Sequence, residues 1–380
     1  MVVILYLSLA ALALLSLTLA LWQLRVGCAF PLHQRRGSPA AGAGVTLLKP
    51  LKGADAETEA CLRSWLTQQY SGAVQVLFGV ADAADPAAVI VRKLLQEFPG
   101  VDAELVVSGP PKGANAKVSQ LVELQRRAKH ELIVISDADV RVPPDLLAQL
   151  VMQLQEPEVG LVNCFYRLAN PATPAMHWEA LAINADFWSQ VLQSRSLQPM
   201  DFALGAVMAT RRKQLAEIGG FEGLENCLAD DYQLGNRIAR RGYTIALSPL
   251  VVECWSAPMG WGAVWKHQLR WARTIRVCQP VPYFFSILSN ATLWPLALAL
   301  AWPSAWVAGF AGCCCLTRIG AALTLERRLN RQPPPLSHAW LVLAKDLLQV
   351  GIWLLAFTGS RVEWRGQRLR LGRDGMLVRE

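Results

Sequence analysis

Charge is scarce in this sequence. Asp, Glu, Lys and Arg make up 17% of its 380 residues against 53% hydrophobic ones, too apolar a balance for a wholly soluble protein. No C-x-x-C pair occurs among its nine cysteines, which excludes a zinc ribbon and a dithiol redox motif. Their odd number, in a domain expected to face the cytosol, argues for reduced thiols. Cys313, Cys314 and Cys315 fall in an apolar run and read as small packing residues. Helix-turn-helix, zinc-finger and RNA-binding aromatic patterns are missing, so the net charge of +8 does not point to nucleic acid. There is no internal repeat and no low-complexity tract.

What is present is unevenly spread. Residues 2–22 carry no charge, a run long enough to cross the roughly 30 Å core of a bilayer as a helix. A secretory signal would place positive residues before such a run and a cleavage site after it. Here Arg25, Arg35 and Arg36 come after it, so the run reads as an uncleaved anchor with the next domain in the cytosol. On this reading residues 1–25 are the anchor, 26–44 a Pro/Gly/Ala linker, 45–260 an α/β domain, 261–280 an amphipathic interfacial helix, 281–360 a C-terminal transmembrane region, and 361–380 a basic cytosolic tail. Further arginines flank apolar segments (Arg270, Arg273, Arg276; Arg327, Arg328, Arg331; and the tail from Arg361 to Arg373), where anionic lipid headgroups would attract them.

Within the α/β domain, short apolar runs at 45–48, 74–80, 103–107 and 132–136 alternate with helical text at 57–69, 86–98 and 116–128. That alternation predicts a mostly parallel sheet covered on both faces, with ligands beyond the carboxyl ends of its strands. A second block adds strands at 159–166 and 202–210, a Trp-rich helix at 176–193, and an acidic helix start at 228–232. Three apolar runs come next, at 281–302, 304–325 and 338–358. If all three cross the membrane, the basic tail emerges outside, against the positive-inside rule. One run is therefore expected not to cross: the first, with Pro282, Asn290 and Pro295, or the last, with Lys345 and Asp346.

The chemistry concentrates at strand ends. Asp137-Ala138-Asp139 closes the run 132–136, and in extended backbone i and i+2 share a side. Two like charges there call for a cation, and Mg²⁺ or Mn²⁺ with substrate phosphates fits; otherwise the pair is a turn with helix-capping Asp residues before Pro143-Pro144. Asp82, just past the strand 74–80, either accepts a hydrogen bond from a base or ribose or is a turn residue beside Asp85-Pro86. Lys49 and Lys52 either counter phosphate charge or are solvated. Asp230 and Asp231 open a helix, where they complement its dipole, or Asp231 is a general base that takes a proton from an acceptor hydroxyl. Along a helix His267, Arg270 and Trp271 share one face, as a phosphate and sugar contact or as a basic interfacial anchor.

Taken in order, these parts resemble the ceramide glucosyltransferase family, within glycosyltransferase families 2 and 21. Its motif is three separated acids and then (Q/R)-x-x-R-W, matched here by Asp82, Asp137, Asp231 and Arg270-Trp271; the stretches Lys49 to Gly53 and Asn115 to Val118 are similar too. The resemblance implies a GT-A (Rossmann-like) transferase domain with transmembrane helices at both ends. It implies an inverting transfer of a hexose or N-acetylhexosamine from a UDP-sugar to a lipid hydroxyl. Asp231 would be the base; Lys49, Asp82, Lys117, Asp137, His267, Arg270 and Trp271 would bind the donor; Asp137 and Asp139 would hold the metal. Two departures, His267 in place of Gln or Arg and an acid at Asp139, look more like a bacterial branch associated with hopanoid biosynthesis. That branch implies N-acetylglucosamine as the sugar and a hopanoid polyol, rather than ceramide, as the acceptor. A processive polysaccharide synthase and a non-catalytic membrane scaffold that keeps the fold are the rival readings.

Overall fold

In the computed structural model, residues 2–35, 37, 42–364, 367–372 and 375–379 are described; Arg36, Arg373 and residues 38–41 of the predicted linker lie outside them. The apolar runs form eight strands: β1 Val45–Pro50, β2 Val74–Val80, β3 Asp102–Val107, β4 Leu132–Ser136, β5 Val140–Arg141, β6 Val159–Leu168, β7 Val207–Arg211 and β8 Thr244–Cys254. They make one sheet in the order β3-β2-β1-β4-β7-β6-β8-β5. β3, β2, β1 and β4 are parallel, but β7 enters antiparallel to both β4 and β6. β6 and β8 pair parallel and β5 antiparallel to β8, so most strands run one way, as predicted, with β7 and β5 reversed. Of the predicted strand 202–210 only the part from Val207 pairs, because Leu204 N–H donates instead to the Asn163 side chain, at 3.2 Å.

The helices are fixed where the sequence supplies caps. Asp85 accepts from Ala87 N–H at the head of Pro86–Glu97, with Pro86 in the first turn. Asn115 accepts from the amides of Lys117 and Val118 at the head of Ala116–Arg127. Against these helices the strands bury Leu47, Leu48, Phe78, Ile133 and Ile135 completely. Edge strand β3 leaves Asp102 and Glu104 exposed, paired with Lys129 and Arg127, and such charge blunts an open sheet edge. This unit comprises residues 32–170, 199–258 and 369–380. The sequence predicts only a basic tail for its last segment, yet Gln367–Leu371 and Leu377–Arg379 are antiparallel strands. Leu377 N–H donates to Asn226 O at 2.6 Å, and Leu228 N–H to Gly375 O at 3.4 Å.

The second unit comprises residues 1–31, 171–198 and 259–368 and is helical. Val2–Ala29, Ala305–Asn330 and His338–Ala356 are each long and apolar enough to cross a membrane. The run at 281–302 is instead two pieces, Pro280–Ser289 and Leu293–Ala301, bent by 54°. The last run remains one helix despite Lys345 and Asp346, because both are buried against opposite charge. Arg318 donates to Asp346 at 2.9 Å and to Asp186 at 2.8 Å. Lys345 pairs with Asp346 at 2.6 Å and with Asp186, and Thr292 Oγ1 donates to Asp346 at 2.6 Å. Asp186 lies in a π-helical stretch, Ala182–Phe187, that interrupts the predicted helix 176–193. Arg328, expected at lipid headgroups, donates to Gly27 O and Phe30 O at 3.1 and 3.0 Å, which closes the C-terminal end of Val2–Ala29.

Candidate active site

Parallel pairing decides what meets at the sheet edge. Pro50 stands opposite Gly79, and Leu48 opposite Ile135, so the carboxyl ends of β1, β2 and β4 present Lys49, Asp82 and Asp137 along one edge. Asp137 to Asp139 do not continue β4. They form a turn into β5, with Val140 N–H donating to Asp137 O at 3.4 Å. β5 pairs back onto β8, and Trp255 N–H donates to Asp139 O at 2.9 Å. That pairing reverses the chain at once, so the two carboxylates are placed by a turn and not by the extended spacing predicted for them.

Two lysines organise this turn from below. Lys49 is fully buried, not solvated; its Nζ donates to Ser136 Oγ at 3.3 Å and to the Asp137 carbonyl, and lies 5.3 Å from the Trp65 ring centroid. Burial pushes its pKa down to about 8, against the nearby thiol of Cys61 and the carboxylates of Asp139 and Asp137. Lys117 is buried as well, and its Nζ bridges Asp137 Oδ1 at 2.7 Å and Asp230 Oδ2 at 3.0 Å. Burial opposes its charge, but Asp137, Asp230 and Asp231 overcome that and hold the pKa above the ordinary lysine value. A single cation thus ties the end of β4 to the start of helix Asp230–Ala239.

Asp231 is the unusual acid of the group. Burial first, then the charge of Asp230, raises its pKa to about 6, against the opposing pull of Lys117 and the Tyr232 amide. That amide donates to Asp231 Oδ1 at 2.8 Å. On the other side lies Gly205, where an added Cβ would stand 2.6 Å from Asp231 Oδ2. The approach to Asp230 is tied down in the same region. Asn115 Nδ2 donates to Cys227 O at 2.8 Å, Asn115 N–H to Glu225 O at 2.8 Å, and Ala114 N–H to Asn226 Oδ1 at 3.0 Å.

Asp82, Lys52 and Asp139 are exposed. Asp82 forms its own turn, accepting from Ala84 N–H at 2.9 Å. Among the described residues no three His, Cys, Asp or Glu side chains are grouped to hold a metal. Asp137 and Asp139 offer two hard oxygen donors, the number that suits Mg²⁺ when substrate phosphates and water complete its shell. His267, Arg270 and Trp271 belong to the helical unit, on helix Trp261–Cys278. There His267 Nδ1 lies 2.7 Å from Glu179 Oε1, and the ring stands edge-on to Trp271 with centroids 4.9 Å apart.

Some site residues were not visible in the sequence. Gly205 sits in text that read as strand, and only the close approach of Asp231 explains it. Glu179 is one acid in a Trp-rich helix whose partner lies 88 residues away. Asp230 was legible as a neighbour of Asp231, but not as a ligand of Lys117.

The profile of glycosyl transferase family 21 matches residues 5–377. The chain belongs to that family. It is 27% identical over 226 residues to "Ceramide glucosyltransferase 3" of Caenorhabditis elegans, an alignment covering 58% of this chain and 48% of that protein. To the "N-acetylglucosaminyltransferase" of Mesorhizobium japonicum it is 25% identical over 227 residues, covering 56% of this chain and 51% of that one. The chain spans about half the length of these curated relatives. Among solved structures, a mannosyltransferase from Pyrobaculum calidifontis, in complex with GDP-mannose and Mn²⁺, superposes with a TM-score of 0.55 at 22% identity, covering 92% of this chain and 99% of that one. The family 21 sheet unit has the GT-A fold, and the resemblance to ceramide glucosyltransferases read from the acidic motifs holds.

Proposed function

We propose that this family 21 glycosyltransferase transfers a hexose or N-acetylhexosamine from a UDP-sugar to a lipid hydroxyl with inversion at the anomeric carbon. The observation that carries this reading is the arrangement around Lys117, which gathers Asp137 and Asp230 beside an Asp231 carboxyl poised near neutral pH.

In this mechanism Asp231 accepts the proton of the attacking hydroxyl, a role that suits a carboxylate whose pKa lies close to the working pH. One base is enough for a direct displacement, since the sugar passes once from diphosphate to acceptor. Asp137 and Asp139 would hold Mg²⁺ or Mn²⁺, which when bound supplies positive charge to the departing diphosphate. Lys117 can move from its carboxylate partners to a phosphate oxygen, and Lys49 keeps the Asp137 turn in place. Asp82 would face the base or ribose, and His267, Arg270 and Trp271 would contact phosphate and sugar. The C. elegans relative supports ceramide as acceptor and the Mesorhizobium relative supports an N-acetylglucosaminyl donor. With His267 and Asp139 in the motif positions, our reading is a bacterial N-acetylglucosamine transfer to a hopanoid polyol. The three candidate spans support a membrane enzyme, and the arginines after the anchor support a cytosolic catalytic domain in the bacterial inner membrane.

Purified protein given Mn²⁺, a UDP-sugar and either ceramide or a hopanoid polyol should release UDP and form one lipid glycoside. Asp231→Asn should lose about 10²–10⁴-fold in turnover while still binding UDP. Normal turnover in that variant removes Asp231 as the base. A ladder of products with increasing sugar number would favour the processive rival, and failure to bind UDP or Mn²⁺ would favour a non-catalytic scaffold.

A further inference from the structure

The carboxyl edge of the sheet carries a second group of polar side chains that the mechanism leaves unused. β6 and β8 run parallel to each other, and β7 lies antiparallel to both β6 and β4, so β4, β6 and β8 end at one edge. Arg141 on β5 and Arg167 on β6 both stand opposite Glu253 on β8, which puts the three side chains on one face. Trp255 follows two residues later and joins them. Both oxygens of Glu253 are occupied: Arg167 pairs with Oε1 at 2.5 Å, and the Trp255 indole N–H donates to Oε2 at 2.9 Å. Trp255 is also tied at its backbone, where its N–H donates to Asp139 O at 2.9 Å.

Arg141 is what this arrangement leaves over. Its guanidinium carbon lies 5.4 Å from the Trp255 ring centroid, and the side chain is exposed. Among the described residues it has no carboxylate partner, since Glu253 is engaged by Arg167 and Trp255. With Arg141 and Arg167 against Glu253 alone, the face keeps a surplus of positive charge. As a surface contact, a cation over a ring stabilises the fold little. It serves binding better: an arginine stays charged at any working pH, and an indole fixed at both ends holds its fork of N–H donors ready for a phosphate. Position narrows the ligand. Along the edge Asp82 stands past β2, Asp137 past β4, and this group beyond them on β6, β8 and β5. With the nucleoside at Asp82 and the metal at Asp137 and Asp139, the phosphate farther from the nucleoside would lie on the Arg141 side.

We propose that Arg141 binds the β-phosphate of the UDP-sugar donor, with Trp255 as its positioning residue. This deepens the transferase reading and rests on it. As the bond from the anomeric carbon to the diphosphate oxygen breaks, its electron pair stays on that phosphate, so the arginine should aid departure as well as binding. The test measures binding of UDP and of UMP, each with Mn²⁺, by calorimetry on the full-length protein in detergent, alongside donor KM and kcat. Arg141→Ala should weaken UDP about ten- to hundredfold, the range for losing a hydrogen bond to a charged group, and leave UMP within about twofold. The kcat should fall with it. Arg141→Lys keeps the charge without the fork and should recover only part of the loss. Trp255→Leu should weaken UDP too, yet cost less than about twofold in the Arg141→Ala background, because the two act as a unit. Should Trp255→Leu not fold, Trp255→Phe keeps a ring without the bond to Glu253 and should show the same coupling at smaller amplitude. Equal losses for UDP and UMP, or additive losses for the two residues, would overturn the proposal. If Arg141→Ala binds UDP normally but binds phosphatidylcholine vesicles containing phosphatidic acid less well, the site takes a lipid phosphate and the proposal falls. A wild-type protein that binds UDP and turns over beside an Arg141→Ala variant that does the same defeats this proposal alone. One that neither binds UDP nor turns over defeats the transferase reading with it.

Discussion

Asp231 is held between the Tyr232 amide and Gly205, and burial with the charge of Asp230 pushes its carboxyl pKa up to about 6. The sign of its effect differs for activity and for stability. In its proposed role as base it must be ionised, so turnover should rise through about pH 6 and level off above it. For stability, a carboxyl whose pKa is higher folded than unfolded binds more protons in the native state between about 4 and 6, so its contribution falls as pH rises across that window. Asp231→Asn should therefore remove the rising limb of the rate profile, yet raise the melting temperature at pH 7 by about 2–4 °C. An unchanged or lower melting temperature would contradict the raised pKa. Gly205→Ala tests the same pocket by volume: its Cβ must displace the carboxylate, and turnover should fall at least about tenfold with UDP affinity retained. At this scale the sequence was legible where an acid follows a strand or opens a helix, as with Asp137 and Asp231. Gly205, Glu179 and the double contact of Lys117 depend on chain segments far apart in sequence, and no local spacing encodes them.

Helices and strands follow the sequence closely where caps and periodicity agree, as at Asp85-Pro86 and Asn115. They depart from it where tertiary charge intervenes. Nothing in a 3.6-residue pattern announces the wider turn at Ala182–Phe187, where Asp186 meets Arg318 and Lys345. The same network lets His338–Ala356 run as one helix through a charged pair: Lys345 and Asp346 are 3% and 5% exposed and paired. Removing one member leaves buried charge unmet, so Asp346→Ala should cost about 3–5 kcal/mol of stability in detergent. Combining Asp346→Asn with Lys345→Met should recover part of that loss. If the single variant melts like the wild type, the network does not hold these helices together.

For the whole molecule, the fold class followed from strand–helix alternation plus apolar ends, but the sheet's mixed pairing did not, because the entry of β7 is set by long-range contacts. The membrane reading has a direct check. Protein expressed in bacteria should resist extraction by salt and alkali and require detergent. Protease added outside intact spheroplasts should spare the sheet unit, whereas inverted vesicles should expose it. Cleavage from the outside would reverse the proposed orientation.

The two short strands near the C-terminus also set a schedule. Asn226 and Leu228 lie four and two residues before Asp230, and their partners Leu377 and Gly375 are translated after the three candidate membrane spans. During synthesis the approach to Asp230 and Asp231 stays open at its backbone until the ribosome has passed residue 377. Nascent chains stalled before that point should carry β1 to β8 without these backbone contacts ahead of Asp230, and the segment should be more open to protease than in the finished chain.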